Sequence, residues 1–260
     1  MLQPKKSLGQ NFLRDQNTAR KIVDALQAPH DAHVVEIGPG TGSLTRYLLP
    51  RFERLTVVEI DQRAVGVLSE TFPGLDVRHG DVLDIDWKGL ASEKGGPIHA
   101  IGNLPYYITS QILFSILEAR RHVREAVMMM QLEVAERLVA APRTKAYGIL
   151  SVVAQLYADV ELLFRVPPTV FVPRPDVTSA VIRLVPRMED AHPDLDDDTV
   201  RRVIRTAFNQ RRKTLRNSLK PLATEFGTSV PDTWSGKRAE ELTPDEFVDL
   251  ARRLTEGTDY

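Results

Sequence analysis

Short apolar runs alternate with amphipathic stretches through the first half of the chain. The runs "HVVEI", "RLTVVEI", "LDVRH", "PIHAIGN" and "EAVMMMQ" predict strands. Between them, stretches such as 62–72 and 110–119 have the apolar spacing of helices. Because several strands are wholly apolar, they indicate a sheet covered on both faces. We therefore predict an α/β fold with a doubly wound, mostly parallel sheet.

The second half of the chain changes character twice. "DVELLFRV" and "SAVIRLVPR" predict two more strands, and the proline-rich loop between them leaves no room for a helix, which indicates an antiparallel pair at the sheet edge. Residues 199–223 and 243–256 predict amphipathic helices, the latter with Thr243 and Glu246 in a capping-box pattern. We predict a first domain at 1–187, a linker at 188–198 and a small all-α domain at 199–260.

Composition narrows the class of protein. Of 260 residues, 42% are hydrophobic and 27% charged, which is typical of soluble globular proteins. No apolar run has the length of a membrane span, and the first residues lack the apolar centre of a signal peptide, so we expect a cytoplasmic protein. The absence of cysteine excludes disulfides and thiolate metal sites, and the six histidines lack ligand spacing, so we expect no metal. No pattern indicates an oligomer, and we expect a monomer.

The glycine-rich segment "EIGPGTG" follows the first predicted strand and precedes a helix. Gly38, Gly40 and Gly42 allow a sharp turn and a close approach of the backbone to a ligand. Such glycines also occur in turns without a ligand, but Glu59 ends the next strand, where a carboxylate can accept hydrogen bonds from both ribose hydroxyls. This pair of features is compatible with either a nicotinamide cofactor or S-adenosylmethionine.

Asp81 and the end of the fourth predicted strand favour S-adenosylmethionine. Asp81 closes the third strand, where it could accept from an adenine amino group or simply cap a turn. Beyond the fourth strand stands Asn103-Leu104-Pro105-Tyr106, in the crevice where open parallel sheets bind ligands. We find no further subsites of the kind that a dinucleotide requires.

The Asn-Leu-Pro-Tyr tetrapeptide has the chemistry for methylating an amino group. The Asn103 side-chain oxygen and the Leu104 carbonyl, restrained by Pro105, could accept both hydrogens of an exocyclic amine. This would help to turn the nitrogen lone pair toward an electrophilic methyl group, while Tyr106 offers a stacking face. The same four residues also occur in ordinary strand-to-helix turns. The position of this tetrapeptide after the glycine-rich segment, Glu59 and Asp81 favours a catalytic role.

With these motifs, the chain resembles the ribosomal RNA adenine dimethyltransferases of the small-subunit type over nearly its whole length. The matching segments include "KKSLGQNFLRD", "EIGPGTG", "GNLPYYI", "VPPTVFVPRPDVTSAVIRL" and "AFNQRRKTLRNSL". Thr178 departs from the family, which often has an acidic residue there. The resemblance implies a Rossmann-like class I methyltransferase domain with a seven-stranded sheet and S-adenosylmethionine as cofactor.

The resemblance also implies roles for individual residues. Asn11 and Leu13 would close over the cofactor, Asn103 would lie between cofactor and target, and Phe171 would clamp the flipped base opposite Tyr106. The full predicted cofactor set is Gln10, Asn11, Leu13, Gly38, Gly40, Glu59, Ile60, Asp81, Val82 and Asn103. The predicted catalytic set is Asn103, Leu104, Pro105, Tyr106 and Phe171. For Tyr107 we expect packing beneath the loop.

Basic residues cluster near the C-terminus, with no acidic residue between Val200 and Lys220. A solvated helix face is the common meaning of such a run, but the neighbouring catalytic module and the resemblance favour RNA phosphates as partners. The predicted RNA contacts are Lys5, Lys6, Arg143, Lys145, Arg211, Arg212, Lys213 and Arg216. Such contacts carry no sequence information, so specificity would come from the shape of the RNA.

The resemblance implies dimethylation of two adjacent adenosines in the 3′-terminal hairpin loop of small-subunit (16S) rRNA, within an assembling 30S-type particle. One alternative is the related large-subunit methyltransferase that confers macrolide resistance. Another, of a different class, is an assembly or transcription factor that binds RNA without catalysis. The intact Glu59, Asp81 and Asn103 argue against the loss of catalysis without excluding a second role in binding.

Overall fold

The computed structural model describes residues 2–5, 8–188 and 192–256, and the chain divides into two compact units. The first unit comprises Met1–Ala135 and Ala158–Met188, and the second comprises Glu136–Tyr157 and Glu189–Tyr260. The sequence pattern assigns residues 136–157 to the first domain, whereas the structure groups them with the C-terminal helices. As functional domains, the boundaries at 187 and 199 stay a prediction.

The described residues of the first unit contain nine strands. They are β1 Phe12–Leu13, β2 His33–Ile37, β3 Arg54–Glu59, β4 Asp76–His79, β5 Ile98–Asn103, β6 Val123–Gln131, β7 Ala158–Val166, β8 Phe171–Val172 and β9 Ser179–Pro186. Seven of them form a sheet with the order β4-β3-β2-β5-β6-β9-β7, and β1 pairs with β8 in a separate two-stranded ribbon.

The helices of the first unit connect these strands. They are α1 Gln16–Asp24, α2 Thr45–Leu48, α3 Gln62–Thr71, α4 Trp87–Lys94 and α5 Thr109–Glu118, and α6 Leu132–Leu138 runs across the boundary between the units. The apolar spacing of the sequence does not predict helix α4, although Asp86 caps its start and Gly95, in the left-handed region, follows its end. The predicted strands and the predicted helices of this half are confirmed as elements.

The order of the strands reverses beside β2. The chain runs outward from β2 through β3 to β4, then returns to place β5 on the other side of β2, and all of these neighbours are parallel. Since parallel crossovers are right-handed, successive crossovers on the two sides of β2 put their helices on opposite faces of the sheet. The sheet is therefore doubly wound, and its switch point lies between the carboxyl ends of β2 and β5.

The predicted antiparallel pair at the edge of the sheet is confirmed. β9 pairs antiparallel with both β6 and β7, and β7 forms the edge. The centre of the sheet is apolar on both faces, as Met128, Met129 and Met130 of β6 are each fully buried. This is why an uninterrupted apolar run could identify the strand.

The second unit is helical. Its helices are α7 Ile149–Tyr157, α8 Asp197–Asn209, α9 Leu215–Ser218, α10 Lys220–Glu225, α11 Asp232–Ser235 and α12 Pro244–Thr255. The capping box before α12 is confirmed, because Glu246 N–H donates to Thr243 Oγ1 at 3.2 Å and Thr243 N–H donates to Glu246 Oε2 at 2.9 Å. Tyr147 is buried and its hydroxyl donates to the Leu242 carbonyl at 2.8 Å, which attaches the segment before α7 to this unit.

The basic stretch is several helices rather than one. Helix α8 ends at Asn209, and the chain resumes as α9 and α10 after a break. Within the break Thr214 bridges to Arg238, and Leu215 N–H donates to the Lys237 carbonyl at 2.7 Å. Because a local pattern cannot reveal a partner so far along the chain, the sequence alone indicated a longer helix. Asp196 and Asp197, predicted in the linker, cap and begin α8.

Among the described residues, no helix has the length and apolar character needed to cross a membrane.

The pairing of β2 with β5 depends on the small size of Gly102, which lies opposite Ile37. A Cβ atom at residue 102 would stand 2.5 Å from the Ile37 carbonyl oxygen, and a backbone atom cannot rotate away. We predict that Gly102→Ala lowers the free energy of unfolding by about 1–3 kcal/mol through overpacking. Urea denaturation followed by circular dichroism measures this change.

Gly66→Ala is the matched control. Gly66 lies in α3, and a Cβ atom there would meet no other atom within 4 Å, so we expect about 0.4–1 kcal/mol of stabilisation. If Gly102→Ala were as stable as the wild type, close contact between β2 and β5 would not require glycine.

Candidate active site

One pocket in the first unit brings together the residues that the sequence predicted for a cofactor. It lies at the carboxyl ends of β2, β3, β4 and β5, beside the switch point. Of the predicted catalytic residues, Asn103, Leu104, Pro105 and Tyr106 line it as well. The predicted cofactor residues that line it are Gln10, Asn11, Leu13, Gly38, Gly40, Glu59, Ile60, Asp81, Val82 and Asn103.

The glycine loop forms one wall of the pocket. Gly38 and Gly40 have φ values of +63° and +56°, in the left-handed region that side chains disfavour. A Cβ atom on Gly40 would also lie 2.9 Å from the Phe12 ring. The loop thus requires glycine both for its backbone conformation and for the close approach of residues 2–5 and 8–13, which we call the N-terminal segment.

Glu59 connects the loops that follow β2 and β3. Its Oε2 accepts from Gly40 N–H at 3.0 Å and its Oε1 accepts from Asp61 N–H at 2.8 Å. The side chain is buried, and this burial raises the pKa of its carboxyl group against the opposing effect of those hydrogen bonds. Because each carboxylate oxygen has two lone pairs, the same group can still accept from two neighbouring hydroxyls in the pocket.

Asp81 caps a turn and also lines the pocket. Its Oδ1 accepts from Leu83 N–H at 2.9 Å, which caps a single 3-10 turn at Val82–Asp84. A carboxylate has a second oxygen, so capping leaves Asp81 able to accept from a ligand. Ile60 and Val82 add apolar surface to the same pocket.

The N-terminal segment is held against the turn after β3. Gln10 Nε2 donates to Asp61 Oδ2 at 3.1 Å, and Lys5 Nζ lies 3.8 Å from Asp61 Oδ1. The Arg63 guanidinium donates to the same buried carboxylate and holds its pKa below the usual range. Lys5, predicted to contact RNA, therefore has a partner within the protein.

The backbone of the N-terminal segment orients the Asn103 amide. Asn103 Nδ2 donates to the Asn11 carbonyl at 3.0 Å. Since a carbonyl can only accept, this contact requires the amide nitrogen of Asn103 to face Asn11 and leaves Oδ1 on the other side as an acceptor. This contact therefore determines which of the two amide atoms of Asn103 remains available as an acceptor.

The residues after Asn103 are held in place from several sides. Leu104 N–H donates to the Met129 carbonyl at 2.9 Å, and the Pro105 carbonyl accepts from Thr109 Oγ1 at 3.0 Å. The Leu104 carbonyl lies between these two contacts, so its direction is restrained. The Tyr106 hydroxyl lies 2.8 Å from Ser179 Oγ, which holds the half-buried ring, and burial raises the pKa of Tyr106.

The second aromatic of the predicted clamp does not line the pocket. Phe171 is 2% exposed and belongs to the hydrophobic core, where it is the pairing partner of Leu13 across the β1–β8 ribbon. Its role as a stacking residue stays a prediction that would require the ribbon to open. Our expectation for Tyr107 is wrong, because that ring is 58% exposed, lines the pocket and packs against Gly9.

The predicted RNA contacts differ in the charges around them. Arg211 Nε donates to Glu240 Oε2 at 2.6 Å, Arg216 lies 3.3 Å from Asp232, and Arg143 lies 3.9 Å from Glu241. Acids from elsewhere in the second unit thus partly neutralise a run that contains none. The side chains that are exposed without an ion pair to any described residue are Lys145, Arg212 and Lys213. Lys6 lies outside the described residues.

Glu36 also lines this pocket, although the motifs in the sequence give it no role. It is 1% exposed and accepts from Thr45 Oγ1 at 2.6 Å through its Oε2. Burial raises its pKa to about 8, with Glu59 contributing repulsion in the same direction. An acid within a buried apolar strand was the signal that could have identified it. In the part of the chain described, no three His, Cys, Asp or Glu side chains are grouped as metal ligands.

Two solved structures share this fold over nearly the whole chain. The dimethyladenosine transferase from Plasmodium falciparum aligns with a TM-score of 0.78 at 25% identity, covering 95% of this chain and 98% of that one. The 23S rRNA methyltransferase ErmE aligns with a TM-score of 0.68 at 29% identity, covering 94% and 99%. Together with the pocket at the switch point, this fold defines a Rossmann-like class I methyltransferase.

The family is narrower than the class. Residues 1–256 match the profile described as Ribosomal RNA adenine dimethylase. The chain is 57% identical to Ribosomal RNA small subunit methyltransferase A of Salinibacter ruber, over 98% of this chain and 86% of that protein. The protein of the same name from Shewanella loihica is 42% identical over 97% and 94% of the two chains. The chain belongs to the ribosomal RNA adenine dimethylase family.

The raised pKa of Glu36 predicts a pH-dependent stability. The folded protein keeps a proton on Glu36 up to about pH 8, whereas the unfolded chain releases it near 4.5, so the free energy of unfolding should fall as pH rises through this window. We predict that Glu36→Gln, which can still accept from Thr45, removes part of this slope and is more stable than the wild type at pH 8. Urea denaturation of the ligand-free protein between pH 5 and 8 measures both effects.

Glu70→Gln, at an exposed position of α3, controls for the loss of one carboxylate. A slope as steep in Glu36→Gln as in the wild type would mean that the buried Glu36 is ionised throughout the range.

Proposed function

We propose that this methyltransferase uses S-adenosylmethionine to dimethylate the amino groups of two adjacent adenosines in the 3′-terminal hairpin loop of small-subunit (16S) rRNA. We further propose that it acts within an assembling small subunit, in the cytoplasm, as a monomer that needs no metal. The observation that carries the chemistry is the contact from Asn103 Nδ2 to the Asn11 carbonyl, because it leaves the Asn103 oxygen free to accept from an amine.

The pocket suits S-adenosylmethionine. Glu59 is positioned to accept from ribose hydroxyls, Asp81 to accept from an adenine amino group, and the backbone of Gly38 and Gly40 to lie close to the methionine end. Apolar surface from Ile60 and Val82 suits an adenine ring. When bound, this cofactor supplies a methyl group on a cationic sulfur, which retains the bonding electron pair when the methyl group is transferred.

The acceptor end of the pocket requires positioning rather than a strong base. The Asn103 oxygen and the Leu104 carbonyl would accept the two hydrogens of an adenine amine and direct its lone pair at the methyl carbon, with Tyr106 stacked on the base. The new N–C bond replaces the S–C bond, and the nitrogen then loses one proton to water. After the first transfer one hydrogen remains, so the same acceptors can orient the second.

The comparisons favour the small-subunit substrate over its large-subunit alternative. A relative named for the small subunit is 57% identical, whereas the 23S enzyme ErmE is 29% identical. The assembly-factor alternative has no specific support, because Glu59, Asp81 and Asn103 all line the pocket with acceptors available. A role in assembly could accompany catalysis through the same RNA contacts.

Mapping of the transferred methyl group tests the proposal. We predict that the protein, given labelled cofactor and unmodified small subunits, large subunits or naked RNA, labels two adjacent adenosines of the small-subunit RNA. Asn103→Ala should retain most of the cofactor affinity while turnover falls about 100-fold or more, because it removes an acceptor for the amine. Primer extension or mass spectrometry locates the label, and calorimetry measures the affinity.

Asn17→Ala, on the exposed side of α1, is the control and should leave turnover unchanged. Label confined to large-subunit RNA would overturn the substrate assignment. The binding-factor alternative would gain support from the absence of transfer to every substrate. Turnover unchanged in Asn103→Ala would remove that residue from the mechanism.

The ion pairs of the second unit refine the RNA-binding prediction. We predict that Arg212→Gln combined with Lys213→Gln weakens RNA binding and makes the plot of log K against log salt shallower by about 0.7–0.9 for each phosphate that is no longer bound. Reversing Arg211 is a poorer test, because a glutamate there would face Glu240 and disturb the fold. Fluorescence anisotropy over a salt series measures affinity and slope together.

Arg202→Gln combined with Arg253→Gln removes the same charge from the second unit at positions already paired with Glu225 and Glu256. Equal slopes for the two double variants would mean that Arg212 and Lys213 are ordinary solvated charges.

A further inference from the structure

A second cavity adjoins the pocket within the first unit. Phe12, Leu13 and Ser43 line both of them, so the N-terminal segment forms a shared wall. We call it the N-terminal cavity, and it is also lined by Arg14, Gln16, Thr41, Arg46, Tyr47 and Val172. None of these six residues belongs to the predicted cofactor or catalytic sets.

Two arginines, Arg14 and Arg46, line this cavity, and neither forms an ion pair with a carboxylate of the described residues. Arg46 Nε donates to the Gly42 carbonyl at 3.2 Å, which anchors the side chain and leaves its terminal nitrogens available. Arg14 is fixed through its backbone, whose N–H donates to the Val170 carbonyl at 2.8 Å, while its side chain is exposed. The cavity therefore presents donors suited to a phosphodiester or a carboxylate.

Asp15, the acidic residue among those that line the cavity, is hydrogen-bonded to the backbone. Asp15 Oδ2 accepts from Thr18 N–H at 2.6 Å and caps α1, and this bonding lowers the pKa of Asp15. Its single charge offsets one of the two arginines, so the lining remains positive. A cation is therefore disfavoured as the occupant, and an anion is favoured.

An aromatic ring accompanies the positive charge. Tyr47 is half-buried against the hydrophobic core, and the Arg20 guanidinium lies 5.1 Å from its ring centre. Neutral polar groups come from Gln16 and Thr41. Arginines, an aromatic face and neutral donors together are the set that binds single-stranded nucleic acid, in which charge and planar bases alternate.

We propose that the N-terminal cavity binds the phosphodiester and the base of a nucleotide that neighbours the target adenosine. This inference rests on the proposed function, because it takes the methyl acceptor to be RNA. An RNA chain whose target base enters the pocket would reach the N-terminal cavity by passing over Phe12 and Leu13, which line both. Arg14 and Arg46 would hold the phosphate, and Tyr47 would stack on the base.

The alternative anion for Arg14 and Arg46 is the carboxylate of the cofactor, because the pocket shares Phe12 and Leu13 with the N-terminal cavity. The two sources differ in which affinity falls when the arginines are removed. If they bind RNA, RNA affinity and its salt dependence change while cofactor affinity does not; if they bind the cofactor, the reverse holds.

The test combines charge removal with replacement of the ring. For Arg14→Ala combined with Arg46→Ala, we expect weaker binding to an unmodified hairpin fragment of small-subunit RNA. Loss of two phosphate contacts, at about 0.7 each, makes the slope of log K against log salt shallower by about 1.4. Over the tenfold interval from 1 M salt to 0.1 M salt, this slope corresponds to a roughly 25-fold loss of affinity at 0.1 M. Tyr47→Leu should also weaken RNA binding, and Tyr47→Phe should restore it. Cofactor affinity, measured by calorimetry without RNA, should be unchanged in all of them.

Arg54→Ala combined with Arg124→Ala is the matched control, because these residues lie at the amino ends of β3 and β6, at the opposite edge of the parallel strands. RNA affinity and salt slope equal to the wild type in Arg14→Ala/Arg46→Ala would overturn the cavity proposal. So would a loss of cofactor affinity alone. If the wild type labels small-subunit RNA in the mapping experiment, such a result leaves the proposed function intact; a wild type that labels no RNA overturns the function itself.

Discussion

The site depends on the two hydrogen bonds that the Glu59 carboxylate accepts from backbone N–H groups. This carboxylate accepts from Gly40 N–H and from Asp61 N–H, so one buried group connects the loop after β2 with the turn after β3. An unpaired carboxylate would be costly to bury, whereas two backbone donors offset that cost and also set the distance between the two loops. Glu59 also lines the pocket, so the residue that connects the two loops is part of the pocket wall as well.

The N-terminal segment contacts three other parts of the chain at this site. Gln10 attaches it to Asp61, the Asn11 carbonyl orients Asn103, and Phe12 packs over Gly40. Each contact joins residues that are far apart in the chain, and each lies next to a different part of the pocket. Movements of this segment would therefore alter both the lining of the pocket and the orientation of Asn103. Phe171, which is buried and pairs with Leu13 in the β1–β8 ribbon, belongs to the same arrangement.

The ion pairs of the second unit show that counting charged residues along a segment does not predict the charge of the folded surface. The stretch from Val200 to Lys220 contains no acid, yet Glu225, Asp232 and Glu240 lie against its arginines. Exposed ion pairs contribute little to stability, but they change which cations are available to a phosphate. In the first unit, Arg14 and Arg46 were not singled out, because isolated arginines form no pattern in the sequence.

Local patterns in the sequence determined the strands, most helices and the position of the glycine loop, since burial on both faces produces uninterrupted apolar runs and caps are built from neighbouring residues. The order of motifs along the chain also placed Glu59, Asp81 and Asn103 in one crevice, because carboxyl ends of parallel strands meet at one edge. Tertiary structure alone decided the orientation of the Asn103 amide, the burial of Phe171, the exposure of Tyr107 and the partners of Arg211. These depend on contacts between residues far apart in the chain, whose geometry no spacing of letters encodes.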